Sequence, residues 1–149
     1  MSPMQRSALV GEYEFTLDAK NRVAIPARLR HAFVEGIFVT RGYDRCISGY
    51  APAEWELFVA EQIQNTSEMS SKGRMLRRRT SASANLLELD AQGRIKLPAS
   101  LLEYASIVRD VTIVGVQDRI ELWDRTRWAQ YLKQIEEEGD AVADELATP

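Results

Sequence analysis

Two short stretches of the 149-residue chain hold an acid and an arginine at one spacing: Asp18-Ala19-Lys20-Asn21-Arg22 and Asp90-Ala91-Gln92-Gly93-Arg94. An aspartate that opens a turn can close it by accepting hydrogen bonds from backbone N–H groups a few residues on. An arginine just past the tightest point projects from the tip. Its planar fork suits a two-bond grip on phosphate or guanine. Asp18, Asn21, Asp90 and Gly93 are therefore read as turn-structuring, and Arg22 and Arg94 as contacts to a polyanion. Lys20, Arg28 and Arg30, with His31, extend the first turn into a cationic cluster with Asp18 as its one acid. The second turn keeps Arg94 and Lys96, but has Ser100, Leu102 and Glu103 where the first has Arg28, Arg30 and His31. Such a patch is the electrostatic footprint of a nucleic-acid reader, and the first unit is expected to matter more than the second.

Other chemistry is thin. One cysteine, Cys46, makes no internal disulfide, and one cysteine with one histidine cannot build a Cys/His-only zinc site. There is no nucleophile-elbow motif. No catalytic residue, metal site, cofactor or small-molecule substrate is expected, and an enzyme working by carboxylates alone is the rival from that class. Cys46 reads as a small buried hydrophobe, His31 as a surface group, and Trp55, Trp123 and Trp128 as core anchors. No run approaches the length of a membrane span, and Met1–Arg6 lacks an apolar signal region, so no membrane partner and a cytoplasmic setting are expected.

The elements that must position these residues come as an internal repeat. Leu17–Leu29 and Leu89–Leu101 align at an offset of 72, with seven of thirteen positions identical. Gly42, Asp44-Arg45 and Trp55 are echoed by Gly115, Asp118-Arg119 and Trp128 at offsets of 73 or 74. Two copies are too few for a solenoid and point to a pseudo-dimer within one chain. The boundaries are a first unit at 8–64, a basic joining segment at 65–82, a second unit at 83–136 and an acidic tail at 137–149. Apolar residues make up 45% and charged residues 28%, which is ordinary globular usage.

Each unit reads β-β-α-β-β-α. Tyr13, Phe15 and Leu17 alternate with polar residues, as do Val23 and Ile25, the period of half-buried strands. The turn between them has Asn21 in one copy and Gly93 in the other. Both tolerate positive φ, which predicts a tight hairpin. Pro26 and Pro98 stand where a helix would begin, at its first helical position. Strands are expected at 37–40, 46–50, 111–116 and 120–123. A closing helix begins at Pro52, and a second is capped by Asp124. The joining segment holds Lys72, Arg74, Arg77, Arg78 and Arg79, and Met69, Met75, Leu76 and Ala82 would give a short helix one apolar side. Residues 136–149 hold six acids and no Lys or Arg, so the net charge of −3 hides a mildly basic body and an acidic tail read as flexible.

The segment Leu17–Arg30 resembles the signature of AbrB-like swapped-hairpin DNA-binding domains. Two tandem copies, each followed by a β-β-α segment ending in a tryptophan-bearing helix, resemble the MraZ family of bacterial transcriptional regulators. Ile120–Trp128 also fits that family, and the likeness covers roughly residues 8–136. The resemblance implies an α+β fold in which the two repeats interleave hairpins around a pseudo-two-fold axis as an AbrB-type β-barrel. It implies a repressor of the division and cell-wall gene cluster that holds its own gene, nucleoid-associated, binding short direct repeats in double-stranded promoter DNA. It also implies ring-shaped homo-oligomers. A single pseudo-dimer presents few charges, so linked copies would supply the missing affinity. The apolar sides of the closing helices and segment 67–82 are the expected contact surfaces, with the acidic tail away from the basic turns. The other reading is a protein-interaction module of the antitoxin type.

Overall fold

The computed structural model describes residues 9–147. The order is β1 (Leu9–Thr16), β2 (Arg22–Ala24), a 3-10 helix (Ala27–Phe33), β3 (Ile37–Arg41), β4 (Ile47–Tyr50), α1 (Pro52–Asn65) and α2 (Ser71–Ala82). The second repeat continues with β5 (Asn85–Leu87), β6 (Arg94–Lys96), α3 (Ala99–Tyr104), β7 (Asp110–Gln117), β8 (Ile120–Asp124) and α4 (Arg125–Ala147). The repeats are joined by strand exchange. An antiparallel six-stranded sheet runs β1-β7-β8-β4-β3-β5, and β2 and β6 form a separate two-stranded ribbon. Within a repeat only β3 pairs with β4 and β7 with β8; the other described ladders cross between repeats. The sheet is open, with β1 and β5 at its edges.

This order reads the same backwards when each strand is exchanged for its repeat counterpart. The register makes the axis explicit. Val23 stands opposite Ile95, its own counterpart at offset 72. Ser48 stands opposite Glu121, its counterpart at offset 73. The pseudo-two-fold therefore passes through the ribbon and through the β4–β8 pair. Around it lies one core holding Val23, Ile25, Leu29 and Phe33 of the first repeat with Ile95, Leu97, Leu101 and Ala105 of the second. Apolar burial of this size is the main stabilising term, and here it is shared between repeats. A smaller cluster joins Cys46, Val114, Trp123 and Trp128. Trp55 is only half-buried and stacks on Phe38 with ring centroids 5.0 Å apart.

Four expectations need correcting. The Asp18 turn closes, with the Asp18 N–H donating to Arg22 O and the Asn21 N–H to Asp18 O, both at 3.0 Å. No hairpin ladder follows it. β1 takes eight partners on β7, from Leu9 opposite Gln117 to Thr16 opposite Asp110, far more than the three-residue β2 could supply. Pro26 and Pro98 are the cap residues of their helices, in extended backbone with ψ of 134° and 138°, and stand one place before the first helical residue. The first of those helices is 3-10, tightened by the Leu29 N–H donating to Pro26 O at 2.9 Å.

The joining segment is helical, capped by Ser70 Oγ accepting from the Gly73 N–H at 3.1 Å. Its buried side is not the expected apolar one. Met69 and Met75 are exposed. Gly73 lies so close to the Ser67 backbone that a Cβ there would collide with it. Arg77 turns inward to donate to Ile63 O, Thr66 O and Thr66 Oγ1, satisfying carbonyls at the C-terminus of α1. The acidic tail also departs from its reading. α4 begins with the Arg127 N–H on Asp124 Oδ2 at 3.0 Å and stays helical through Ala147. Its Glu, Ala and Leu residues are strong helix formers, and the first proline after the cap is Pro149.

Candidate nucleic-acid interface

The ribbon is the place where both turn arginines meet. Arg22 stands opposite Lys96, Val23 opposite Ile95, and Ala24 opposite Arg94. Side chains alternate across a strand, so one face takes Val23 and Ile95 and the other takes the remaining four. Val23 and Ile95 are 0% and 1% exposed. The outward face therefore presents Arg22, Lys96 and Arg94 around Ala24. Two further hydrogen bonds lengthen the ribbon, from the Ile25 N–H to Gly93 O at 2.8 Å and from the Leu97 N–H to Asn21 O at 2.9 Å.

Each arginine is braced by the aspartate of its own turn. Asp18 Oδ1 accepts the N–H groups of Lys20 and Arg22 at 2.9 Å, and Oδ2 accepts Arg22 Nε at 2.7 Å. Asp90 repeats the pattern with Gln92, Arg94 and Arg94 Nε, each at 2.9 Å. Asp18 does more, because Arg94 Nη1 lies 3.7 Å from its Oδ2. One carboxylate thus orients both guanidinium groups across the axis. The arginine side chains remain 31% and 29% exposed. Arg22 is held by its Nε edge, which leaves its two terminal nitrogens directed at solvent for a bidentate acceptor. The functional and turn-closing readings of this motif are one arrangement: the aspartate shapes the turn and aims the arginine.

The same bonds set a pH dependence. The Arg22 N–H, then the Arg22 side chain and the Lys20 N–H, hold the Asp18 carboxyl down at about 2 against the pull of desolvation. Asp90 is lowered in the same direction, chiefly by the Arg94 N–H. A carboxyl depressed in the folded state stabilises it above the unfolded value near 3.9, and the benefit is lost as pH falls through the folded value. Thermal unfolding of the wild type and of Asp18→Asn should therefore differ at neutral pH and converge between about pH 4 and pH 2. A difference that persists unchanged at the acid end would rule the account out.

The other sequence candidates divide. Lys20 and Lys96 are exposed, and both lie at the Arg22 end of the ribbon, although Lys96 belongs to the second repeat. Arg28 is exposed on the 3-10 helix and makes no hydrogen bond or ion pair among the described residues. Arg30 does not join the Lys20–Arg22 cluster. Its Nε donates to Ile25 O at 2.8 Å, and its guanidinium lies against Gly93 at the far end of the ribbon. The proximity of Arg30 to Arg22 in sequence conceals this crossing. Exposed His31 is unengaged in the ribbon, and Cys46 is buried with its thiol on Tyr43 O at 3.2 Å and held un-ionised by burial.

The Asn21/Gly93 exchange follows from that crossing. Both residues have positive φ, 60° and 76°. At Gly93 a Cβ would run into Arg30, whereas the counterpart of Arg30 in the second repeat is the buried Leu102. Gly93→Ala should cost roughly 1–3 kcal/mol, from left-handed strain and displacement of Arg30. Gly93→Asn should be destabilising too, although Asn is the native residue at 21. Chemical denaturation of both variants checks this, and a neutral Gly93→Asn would show that φ alone selects the glycine.

A second cluster escaped the sequence reading beyond its repetition. Asp44 and Arg45 both have positive φ, 60° and 61°, at the β3–β4 connection. Arg127 holds them, with Nη2 on Asp44 O at 3.0 Å and Nη1 on Arg45 O at 2.7 Å, while its guanidinium sits 5.6 Å from the Trp123 ring. This clasp supports the β4–β8 side of the axis and is not part of the ribbon. Among the described residues no group of three or more His, Cys, Asp or Glu is placed to hold a metal, and no helix is long and apolar enough to cross a membrane.

The family model described as "MraZ protein, putative antitoxin-like" matches the chain twice, at residues 8–79 and 81–148. The chain belongs to the MraZ family. A relative in that family, "Transcriptional regulator MraZ" of Symbiobacterium thermophilum, is 41% identical over 137 residues, covering 92% of this chain and 99% of its own. Within an MraZ-family chain the two matches correspond to the two strand-exchanged repeats, and the Asp18–Arg22 and Asp90–Arg94 turns fall one in each.

Proposed function

We propose that this chain is a sequence-specific, DNA-binding transcriptional regulator that reads its operator with the β2–β6 ribbon. The observation that carries this is the outward face of the ribbon, where Arg22, Arg94 and Lys96 stand clear of the core and Asp18 orients both arginines. The DNA major groove, about 12 Å wide, admits a two-stranded ribbon. The arginines would read base edges, and Lys20, Lys96 and Arg28 would meet phosphates. The resemblance to MraZ regulators, and the printed name of the 41% identical relative, support a cytoplasmic repressor at the nucleoid. Its target would be short direct repeats in the promoter of its own division and cell-wall gene cluster. The exchanged strands fit an AbrB-type swapped-hairpin unit. One ribbon offers few cations, so several linked copies, as in a ring, would be needed to hold spaced repeats.

The words "antitoxin-like" in the family description favour a second reading, a protein-interaction module whose basic face meets an acidic partner. Footprinting the DNA upstream of this protein's own gene, over a series of salt concentrations, separates the two. Protected direct repeats whose affinity falls with log salt support the regulator. Absence of protection at low salt, with the purified protein folded, excludes it.

A further inference from the structure

The two repeats differ most in what covers their closing helices. α1 is covered by α2: Gln62 Nε2 donates to Thr80 Oγ1 at 3.0 Å, and Arg77 binds Thr66 Oγ1 at 2.8 Å. At the offset of 73 the counterparts of Gln62 and Thr66 on α4 are Ile135 and Gly139. No helix follows α4 to cover them. They line an open groove with Tyr131, Gln134, Glu138 and Val142. Ile135 and Val142 are 39% and 46% exposed, and a Cβ on Gly139 would meet nothing within 4 Å. The second repeat thus keeps a helix-binding face without a helix to fill it.

The charge around that groove names its occupant. Beyond Lys133, α4 carries Glu136, Glu137, Glu138, Asp140, Asp144 and Glu145 and no cation. Glu138 and Glu145 fall on the groove's own flank by helical spacing. α2 carries Lys72, Arg74, Arg77, Arg78 and Arg79 and no acid. Its outward side, opposite the one packed on α1, shows Lys72, Arg74 and Arg78 around Met75, which is 67% exposed. An apolar knob between cations matches an apolar groove between acids. Steric and electrostatic complementarity of this kind fixes partner and register.

We propose that the groove of α4 receives the outward face of α2 from a second copy of this chain. The inference rests on the self-association in the function proposed above and gives it a surface. α2 has no counterpart in the second repeat, so the contact joins two different faces and is head-to-tail. Repeated, it closes into a ring or extends as a filament. It places the acidic helix between copies, where it cannot screen the ribbon.

Light scattering on the DNA-free protein at micromolar concentration tests this, with far-UV circular dichroism as the check on folding. Wild type should give a mass several times 16.9 kDa. Glu138→Arg with Glu145→Arg should bring it down to a single chain, and so should Arg74→Glu with Arg78→Glu. An equimolar mixture of the two folded variants should form pairs and nothing larger, since each retains one intact face. All four substitutions in one chain should restore the assembly. If either folded double variant keeps the wild-type mass, the α2–α4 contact is wrong while self-association stands. If the wild type itself stays at 16.9 kDa, self-association fails and the proposal with it.

Discussion

Arg22→Ala is expected to remove specific operator binding while leaving the fold intact. Its side chain packs on no core residue; it bonds Asp18 at the ribbon's outer face. Loss of one bidentate base contact costs roughly 1–3 kcal/mol, about tenfold in affinity for each 1.4 kcal/mol. Where several linked copies grip spaced repeats, the loss recurs in each and avidity amplifies it. Arg94→Ala should cost less. The Arg22 end of the ribbon holds Lys20 and Lys96, while the Arg94 end holds Gln92 and Ala24, with Arg30 tied to Ile25 O. Asp18→Asn separates positioning from charge. Removing an acid beside phosphates should strengthen non-specific binding, yet freeing both arginines should weaken the specific complex, so the ratio of the two falls. Electrophoretic titrations of the three variants on operator and scrambled DNA measure this. Normal operator affinity for a folded Arg22→Ala, or a larger loss from Arg94→Ala, would overturn the assignment.

The repeat was legible because it is written in residue identities, and the alternation of Val23, Ile25, Ile95 and Leu97 named the buried face. Their partners were not legible. Period-two alternation says which side of a strand is buried and nothing about its neighbour. The Asp18 turn closes with the same local bonds whether or not a hairpin follows. The cross-repeat ion pair of Arg94 with Asp18 and the seating of Arg30 on Gly93 depend on that exchange, so charge counting along the chain placed Arg30 in the wrong cluster. The single trace of the crossing was the Asn21/Gly93 difference, which composition explains equally well as turn tolerance. In the acidic segment, charge density argued for a flexible tail. Continuous good helix formers on a capped start prevailed, with Gly139 tolerated at the usual modest cost.

The exchange of strands predicts how the chain behaves when cut. A fragment ending at Ser83 keeps β1 and β2 but loses β7 and β6, the strands each of them pairs with. β3 loses β5 and β4 loses β8, so β3–β4 is the one described ladder that remains. The core is divided as well: Val23, Ile25, Leu29 and Phe33 would face water where Ile95, Leu97, Leu101 and Ala105 had been. Exposing several fully buried side chains costs about 1.5–3 kcal/mol each, which exceeds the 5–15 kcal/mol that typically holds a domain together. Fragment 1–83 alone is therefore expected to show no folded monomer. It should be unfolded, or pair with itself through β2, with Val23 taking the place of Ile95 on the axis. Co-expressed fragments 1–83 and 84–149 should instead recover a one-to-one complex with a cooperative thermal transition. Native mass spectrometry and circular dichroism read both outcomes. A folded, monomeric 1–83 fragment would mean that each repeat is a domain in its own right and that the ribbon carrying Arg22 and Arg94 is not the structural centre of the molecule.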